Sequence, residues 1–335
     1  MSGHLLVVGM ARSGVAAANL AVAKGFRVVC TDQRADAPLV AGTEAHYGGH
    51  FRDDFTSAER IVVSPGVPGN QPDLLAAGEA GVRIEGELAF AASFLNVPVL
   101  AVSGTNGKST TTHLLGQLLN NAGVTCFTGG NIGVPLSTAV DAGHTFCAVE
   151  VSSYQMEFPG AFRPRAAAIL NLTPDHLERH GNLDNYAAHK CRMFARMGPE
   201  DAAILPVGEP RLRRLADALP GRRYLIGDSP GVRIEQDAVV LYDVHDPGSV
   251  SLAGFRLPGR HNLDNVAAAV LLAVCGGISR KDLDLSRLTG LPHRVEVLGE
   301  RNGVIWVDDS KATSVDSALA AYRGWEGPFH ALIGG

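Results

Sequence analysis

Cysteine is scarce in this chain of 335 residues: there are five, at positions 30, 126, 147, 191 and 275, and no two form a C-x-x-C pair. An odd, scattered set excludes a disulfide framework and a cysteine metal knuckle, and reads as free thiols in a reducing cytosol. Positive charge is not in excess. Lys and Arg number 29 against 34 Asp and Glu, a net charge of −5 with no basic run, whereas a nucleic-acid partner leaves a basic stripe. Long apolar runs are missing too. No stretch reaches the ~18 residues that cross a bilayer. The apolar start, residues 1–10, has neither the basic n-region nor the cleavage site of a signal peptide. These absences together predict a soluble cytoplasmic monomer that acts on small molecules, with neither nucleic acid nor membrane as partner. No internal repeat or low-complexity tract occurs.

What is present is a globular composition, 46% hydrophobic and 19% charged, with 39 glycines. The length calls for two or three domains, and the glycines suit tight turns and backbone placed close to phosphates. An apolar run at 5–8 leads into Gly9-Met10-Ala11-Arg12-Ser13-Gly14, a helical pattern to Lys24, a stop at Gly25, and a second strand over 26–30 that ends at Thr31-Asp32. Strand, glycine turn, helix, strand and acid are the layout of a mononucleotide-binding βαβ unit. The signal is weak, because Ala11 replaces the glycine that lets backbone approach a pyrophosphate. A third strand before Ser64-Pro65-Gly66 ends in a turn on the ligand-binding edge of such a sheet.

Asn96-Val97-Pro98 reads as a linker, which bounds a first Rossmann-like domain over 1–96. A central domain over 97–292 follows, with strands expected over 99–103, 146–151, 166–171 and 202–206 and helices over 182–197 and 261–275. Alternation of strand and helix predicts a mostly parallel α/β sheet covered on both faces. Residues 232–255 read as a small antiparallel insert. From 293 to 335 a third α/β domain begins, with strands over 295–298 and 304–307, a helix after Thr313 and a strand over 330–333. Some 45 residues do not close an α/β core, which needs on the order of 100.

The strongest run is Ser103-Gly104-Thr105-Asn106-Gly107-Lys108-Ser109-Thr110, between an apolar strand and a helix. Glycines let successive amides turn inward, and the helix N-terminus adds partial positive charge. Lys108 suits the outer phosphates of ATP and the Ser109 hydroxyl suits Mg²⁺. Val102 stands where the general phosphate-loop pattern has its first glycine. The plain alternative is a glycine-rich turn with an exposed lysine; strand, loop and helix in this order argue against it.

The loop resembles that of the Mur ligases and the related folylpolyglutamate synthases. The resemblance extends through Gly130-Asn131-Ile132-Gly133, through the run from Glu150 to Glu157, and through Asn171-Leu172-Thr173-Pro174-Asp175-His176-Leu177-Glu178-Arg179-His180. It continues in His261-Asn262-Leu263-Asp264-Asn265, His293-Arg294 and Asp308-Asp309-Ser310-Lys311-Ala312-Thr313, and so covers nearly the whole chain. The Ser152-Ser153-Tyr154-Gln155 and Asp-Ser-Lys-Ala-Thr runs look like the D-glutamate-adding branch.

The resemblance implies an ATP-dependent amide ligase with two Mg²⁺ sites. Ser109 and Glu150 hold the first; His176 and Lys190, the latter as a carbamate, help hold the second. The loop residues Gly104, Thr105, Asn106, Gly107, Lys108, Ser109 and Thr110 hold the phosphates. Asn265 and Arg294 hold the adenine nucleotide, Asp309 the ribose, and Lys311 lies near the phosphates. Asn131 lines the reaction site, Ser152 binds substrate, and Thr313 meets the incoming D-glutamate. Arg12, Ser13, Asp32, Arg34 and Gly66 bind the uridine nucleotide of the UDP-N-acetylmuramoyl-L-alanine acceptor. On residues alone, His176 also reads as a structural histidine, Lys190 as a surface lysine, and Arg12 and Arg34 as surface charges. Three other readings stay open: a nicotinamide-dependent oxidoreductase built on the Gly9 to Asp32 unit, a nucleotide-binding form without turnover, and a sister ligase or folylpolyglutamate synthase-like enzyme.

Overall fold

Apolar runs bounded by glycine turns form strands here because both faces of each sheet are covered. In the computed structural model, which describes residues 3–217, 221–312, 318–319, 321–322 and 328–334, every residue of β1 (Leu5–Val8) is buried. It lies at the centre of a wholly parallel five-stranded sheet with β2 (Val28–Asp32), β3 (Thr43–Tyr47), β4 (Arg60–Val63) and β5 (Arg83–Gly86), in the order β3-β2-β1-β4-β5. The order reverses between β1 and β4, a switch point of the kind at whose carboxyl strand ends ligands bind in open α/β sheets.

The second sheet holds β6 (Val99–Ser103), β7 (Cys126–Gly130), β8 (Phe146–Glu150), β9 (Ala166–Ile169), β10 (Ala202–Pro206), β11 (Arg222–Ile226), β12 (Gly231–Glu235), β13 (Ala238–Tyr242) and β14 (Gly248–Ser251). Its order is β14-β13-β12-β11-β10-β9-β6-β8-β7. All pairings are parallel as far as β12, and the last two are antiparallel. The antiparallel piece predicted as a separate insert therefore extends the edge of the main sheet, because β12 pairs with β11. Strand β6 lies between β8 and β9, so the chain crosses over it and the residues that follow β6, β8 and β9 meet at one edge.

One buried apolar cluster runs from Val7 and Met10 through Leu88 and Phe90 into Leu136, Met156 and Phe194, so the two sheets share a core across the predicted linker. At this joint Glu87, 2% exposed, accepts from the Ser137 amide and hydroxyl at 2.6 and 2.7 Å. The helix Arg260–Gly276 packs beside the helix Lys108–Asn121 over the second sheet.

Residues beyond Pro292 form an antiparallel hairpin, β15 (Glu296–Arg301) and β16 (Val304–Asp308). Residues 330–333, expected as a strand, form none; Leu332 and Ile333 are exposed and pair with no described strand. The expected helix over 182–197 is α-helical only across Leu183–Cys191, then tightens into a 3₁₀ turn, Arg192–Phe194. Among the described residues no helix is long and apolar enough to cross a membrane.

Candidate active site

After β6 the chain turns at Gly104 (φ +145°) and Gly107 (φ +82°), and Gly107 caps the helix Lys108–Asn121. Only glycine fits at Gly107: a Cβ there would lie 2.4 Å from Asn265 Oδ1, in a backbone region that side chains rarely adopt. Val102 is not a missing loop residue. It is fully buried in β6, paired with Glu150 and Ala168, and the chain turns two residues later at Gly104.

The loop is clasped from the neighbouring strand end. Asn171 Oδ1 accepts from the Thr105 and Asn106 amides at 3.1 and 2.8 Å, and Asn171 Nδ2 donates to the Asn106 carbonyl at 3.0 Å. The Thr105 hydroxyl donates to the Thr173 carbonyl and accepts from the Thr173 amide, both at 3.0 Å. Asn171 and Thr173 stand in the quoted sequence runs without an assigned role; only the register of β9 against β6 reveals one.

Charge is concentrated beneath this loop. Lys108 Nζ donates to the Thr105 carbonyl at 2.6 Å. Burial lowers its pKa, while Glu150 and Asp175 nearby pull it back up. Lys190, 1% exposed, donates to the Gly104 carbonyl at 2.7 Å and lies 4.4 Å from the Tyr186 ring centre. Burial first, and Lys108 second, push its pKa well below the ordinary lysine value; Asp175 and Glu150 act on it as well. Lys190 is thus no surface lysine, and the carboxylates Glu150 and Asp175 belong to the same electrostatic cluster as both lysines.

Glu150, 1% exposed, accepts from Asn131 Nδ2 at 2.7 Å through Oε1. Its Oε2 is buried with no partner among the described residues. An unpaired buried carboxylate oxygen is costly in isolation and is a natural seat for a hard cation. Ser109, 7% exposed, accepts from Arg294 Nη2 at 3.2 Å. His176 follows Asp175 in the left-handed region (φ +54°), exposed, with its ring 4.9 Å from that of Tyr154. The loop, Lys108, Ser109, Glu150 and Lys190 therefore assemble at one sheet edge.

Beside the loop lies a cavity of about 500 Å³, lined by Asn106, Gly107, Asn171, Asn265, Arg294 and Asp309 among others. Asn265 accepts from the Thr111 hydroxyl and donates to Asn262 Oδ1, both at 3.2 Å. Asp309 Oδ1 accepts from the Val295 amide at 3.1 Å, and burial raises its pKa. His261 and Asn262, quoted in the sequence without a role, also line the cavity. Lys311 is exposed and stands outside this lining. Thr313 lies outside the described residues.

The first-sheet residues gather at the carboxyl ends of β1, β2 and β4. Gly9 (φ +85°) opens the turn, and a Cβ on Gly14 would lie 1.9 Å from the Gly9 carbonyl. Asp32 accepts from the Met10 amide at 2.7 Å and from Arg34 N and Nε at 2.9 and 3.2 Å. Ser13 is half-buried and Gly66 exposed. Arg12 donates across to the Gly133 carbonyl at 3.1 Å, close in sequence to Asn131. Ser152 N and Oγ donate to Gln155 Oε1 at 2.9 and 3.2 Å.

Known proteins carry the same arrangement of sequence. Residues 102–273 match the family described as Mur ligase middle domain, and residues 3–86 match Mur ligase MurD-like, N-terminal domain. A UDP-N-acetylmuramoylalanine--D-glutamate ligase of Anaeromyxobacter dehalogenans is 42% identical over 95% of this chain and 75% of its own length. This chain belongs to the Mur ligase family. A second relative of the same name, from Pelotomaculum thermopropionicum, is 38% identical over 99% of this chain and 76% of its own length. At the level of fold, this Mur ligase is similar to the UDP-N-acetylmuramate-alanine ligase of Thermotoga maritima, with TM-score 0.53, 19% identity, and coverage of 96% of this chain and 77% of the other. A murein peptide ligase of Psychrobacter arcticus gives TM-score 0.56 at 21% identity, covering 92% and 73%. As a Mur ligase, the protein is an ATP-dependent ligase.

Proposed function

We propose that this Mur ligase joins D-glutamate to UDP-N-acetylmuramoyl-L-alanine at the cost of one ATP, through an acyl phosphate. One observation carries the phosphate chemistry: Lys108, Lys190 and the unpaired oxygen of Glu150 converge under the Gly104 to Gly107 loop. Relatives that bear the D-glutamate ligase name support the choice of amino acid.

In this reading residues 1–96 receive the uridine nucleotide through Arg12, Ser13, Asp32, Arg34 and Gly66. Residues 97–292 hold ATP, and 293–335 contribute to the amino-acid-binding part. Loop amides and Lys108 hold the phosphates, with Asn265 and Arg294 on the adenine nucleotide, Asp309 on the ribose and Lys311 toward the phosphates. Ser109 and Glu150 would hold one Mg²⁺, and His176 with Lys190 a second. The metal supplies neutralisation of phosphate charge. A lysine reacts with CO₂ only as the free amine, and burial of Lys190 favours that form.

The carboxylate of the terminal L-alanine attacks the γ-phosphorus, and the bond to the bridging oxygen breaks to give acyl phosphate and ADP. The amine of D-glutamate then attacks the acyl carbon, loses a proton, and phosphate leaves as the amide forms. Asn131 lines this step, Ser152 binds substrate, and Thr313 meets D-glutamate. The intermediate hydrolyses readily, so water must be kept out while it exists. The five buried thiols suit a reducing cytoplasm.

Phosphate release with the UDP-linked acceptor, scanned over amino acids, tests the assignment. D-Glutamate alone is expected to support turnover. Turnover with L-alanine or a diamino acid instead would move the protein to a sister ligase, and nucleotide binding without any release would leave a binding form.

A further inference from the structure

Arg179 and Glu157 stand in the two runs that end in Arg-His and Met-Glu, yet neither touches the phosphate loop or the cavity beside it. Arg179 Nε donates to Glu157 Oε1 at 2.8 Å, and Nη2 donates to Glu157 Oε2 at 3.0 Å. The side chains are 20% and 10% exposed, so this is a forked, largely dry ion pair. The same Nη2 donates to the Val67 carbonyl at 2.8 Å, and Glu157 Oε2 also accepts from the Gly69 amide at 3.1 Å. Two main-chain groups of the turn after β4, the turn that carries Gly66, are thus held by side chains from the segments that follow β8 and β9. Arg192 steadies the other end by donating to the Glu157 carbonyl at 3.1 Å.

On its opposite side the guanidinium lies 5.1 Å from the Tyr154 ring centre, and that ring lies 4.9 Å from the His176 ring. Arg179 belongs to the one-turn helix Leu177–His180 that His176 caps. The Arg179 and His180 amides both donate to the His176 carbonyl at 3.1 Å. A histidine in the left-handed region keeps that conformation only where its surroundings dictate it. The Arg179–Glu157 pair therefore links the Val67 carbonyl and the Gly69 amide to the turn on which His176 stands.

We propose that the Arg179–Glu157 pair is a positioning device that couples occupancy of the turn at residues 64–69 to the placement of His176. The proposal rests on the reading of that turn as part of the uridine-substrate site and of His176 as a metal-binding residue. Its chemical sense is order: a metal site completed only after the acceptor is seated does not expose ATP to water without a carboxylate to receive the phosphoryl group.

Hydrogen–deuterium exchange with UDP-N-acetylmuramoyl-L-alanine tests it, on the wild-type chain and on Arg179→Lys and Glu157→Gln, each first shown to melt cooperatively. In the wild type, peptides covering 64–69 and 174–181 both gain protection. In the variants 64–69 is still protected, protection of 174–181 is lost, and the half-saturating Mn²⁺ concentration rises roughly tenfold with affinity for a non-hydrolysable ATP analogue unchanged. Protection of 174–181 that persists in both variants, or an unchanged metal requirement beside a lower melting temperature, reduces the pair to a structural tie and overturns the proposal. Absence of protection at 64–69 in the wild type instead overturns the reading of the turn, and the coupling with it.

Discussion

Two strand–glycine turn–helix units occur in this chain, and their polar groups end differently. In the first, the acid at the end of the neighbouring strand, Asp32, is fully engaged by the Met10 amide and by Arg34. In the second, the acid at the end of β8, Glu150, is 1% exposed and keeps one oxygen unpaired among the described residues. Two lysines beside it are held below their ordinary pKa by burial. Glycines alone do not distinguish the units, since both turn on positive-φ glycine and open a helix. What distinguishes them is an unsatisfied polar group: the acid of the first unit is engaged by its own neighbours, whereas Glu150 keeps one buried oxygen without a partner among the described residues.

The largest expected effect breaks the second unit alone. Lys108→Ala lowers ATP-dependent phosphate release by about 10³-fold and leaves a cooperatively melting protein; retained turnover would erase the contrast between the units. Next, Asn131→Ala removes the only hydrogen bond made to Glu150 Oε1 among the described residues. The concentration of Mg²⁺ needed for half-maximal rate should rise roughly 10–100-fold, with the KM for the uridine substrate unmoved.

Asp32→Asn tests the first unit. It weakens charge-assisted bonds to Arg34, so the KM for the uridine substrate rises by about tenfold while ATP affinity stays constant. A fall in ATP affinity would mean that the units are not separate sites.

The smallest effects are slopes of stability against pH, read from melting temperatures. Lys190 has a native pKa below the ordinary 10.5, through burial and then Lys108. The unfolded chain therefore holds that proton more tightly, and stability rises as pH climbs from the native value toward 10.5. Lys190→Met flattens that rise. Glu87, at the joint between the sheets, has the opposite sign. Burial raises its pKa above 4.5 against the Ser137 hydrogen bonds, so its contribution is complete below 4.5 and is lost as pH rises through the native value. Glu87→Gln removes that loss and leaves ATP turnover unchanged.

Much of the fold was legible as pattern. Strands β1, β6 and β10 lie where continuous apolar runs between turn residues place them, because burial on both faces leaves no alternation to misread. Strand β3, Thr-Glu-Ala-His-Tyr at a sheet edge, carries no such run and was not expected; β11 opens with two exposed arginines and was missed for the same reason. The antiparallel character of 232–255 could be read from its Asp, Gly and Pro breaks, but not its junction with β11, which is a long-range pairing.

For the site, the sequence by itself determined the phosphate loop between strand and helix; Glu150, His176 and Lys190 drew their expected roles from the family resemblance, since on residues alone each has a plain structural reading. The loop was legible because strand, glycine turn, lysine, hydroxyl and helix in that order have few other uses. Only the tertiary structure decided that Lys190 is buried against Gly104, that Asn171 clasps the loop, that Glu150 keeps an oxygen unpaired, and that Arg179 reaches the first sheet. The Asn171, Lys190 and Arg179 contacts join residues 66, 86 and 112 positions apart in the chain. Burial and pairing are properties of neighbours in space, and no local spacing encodes them.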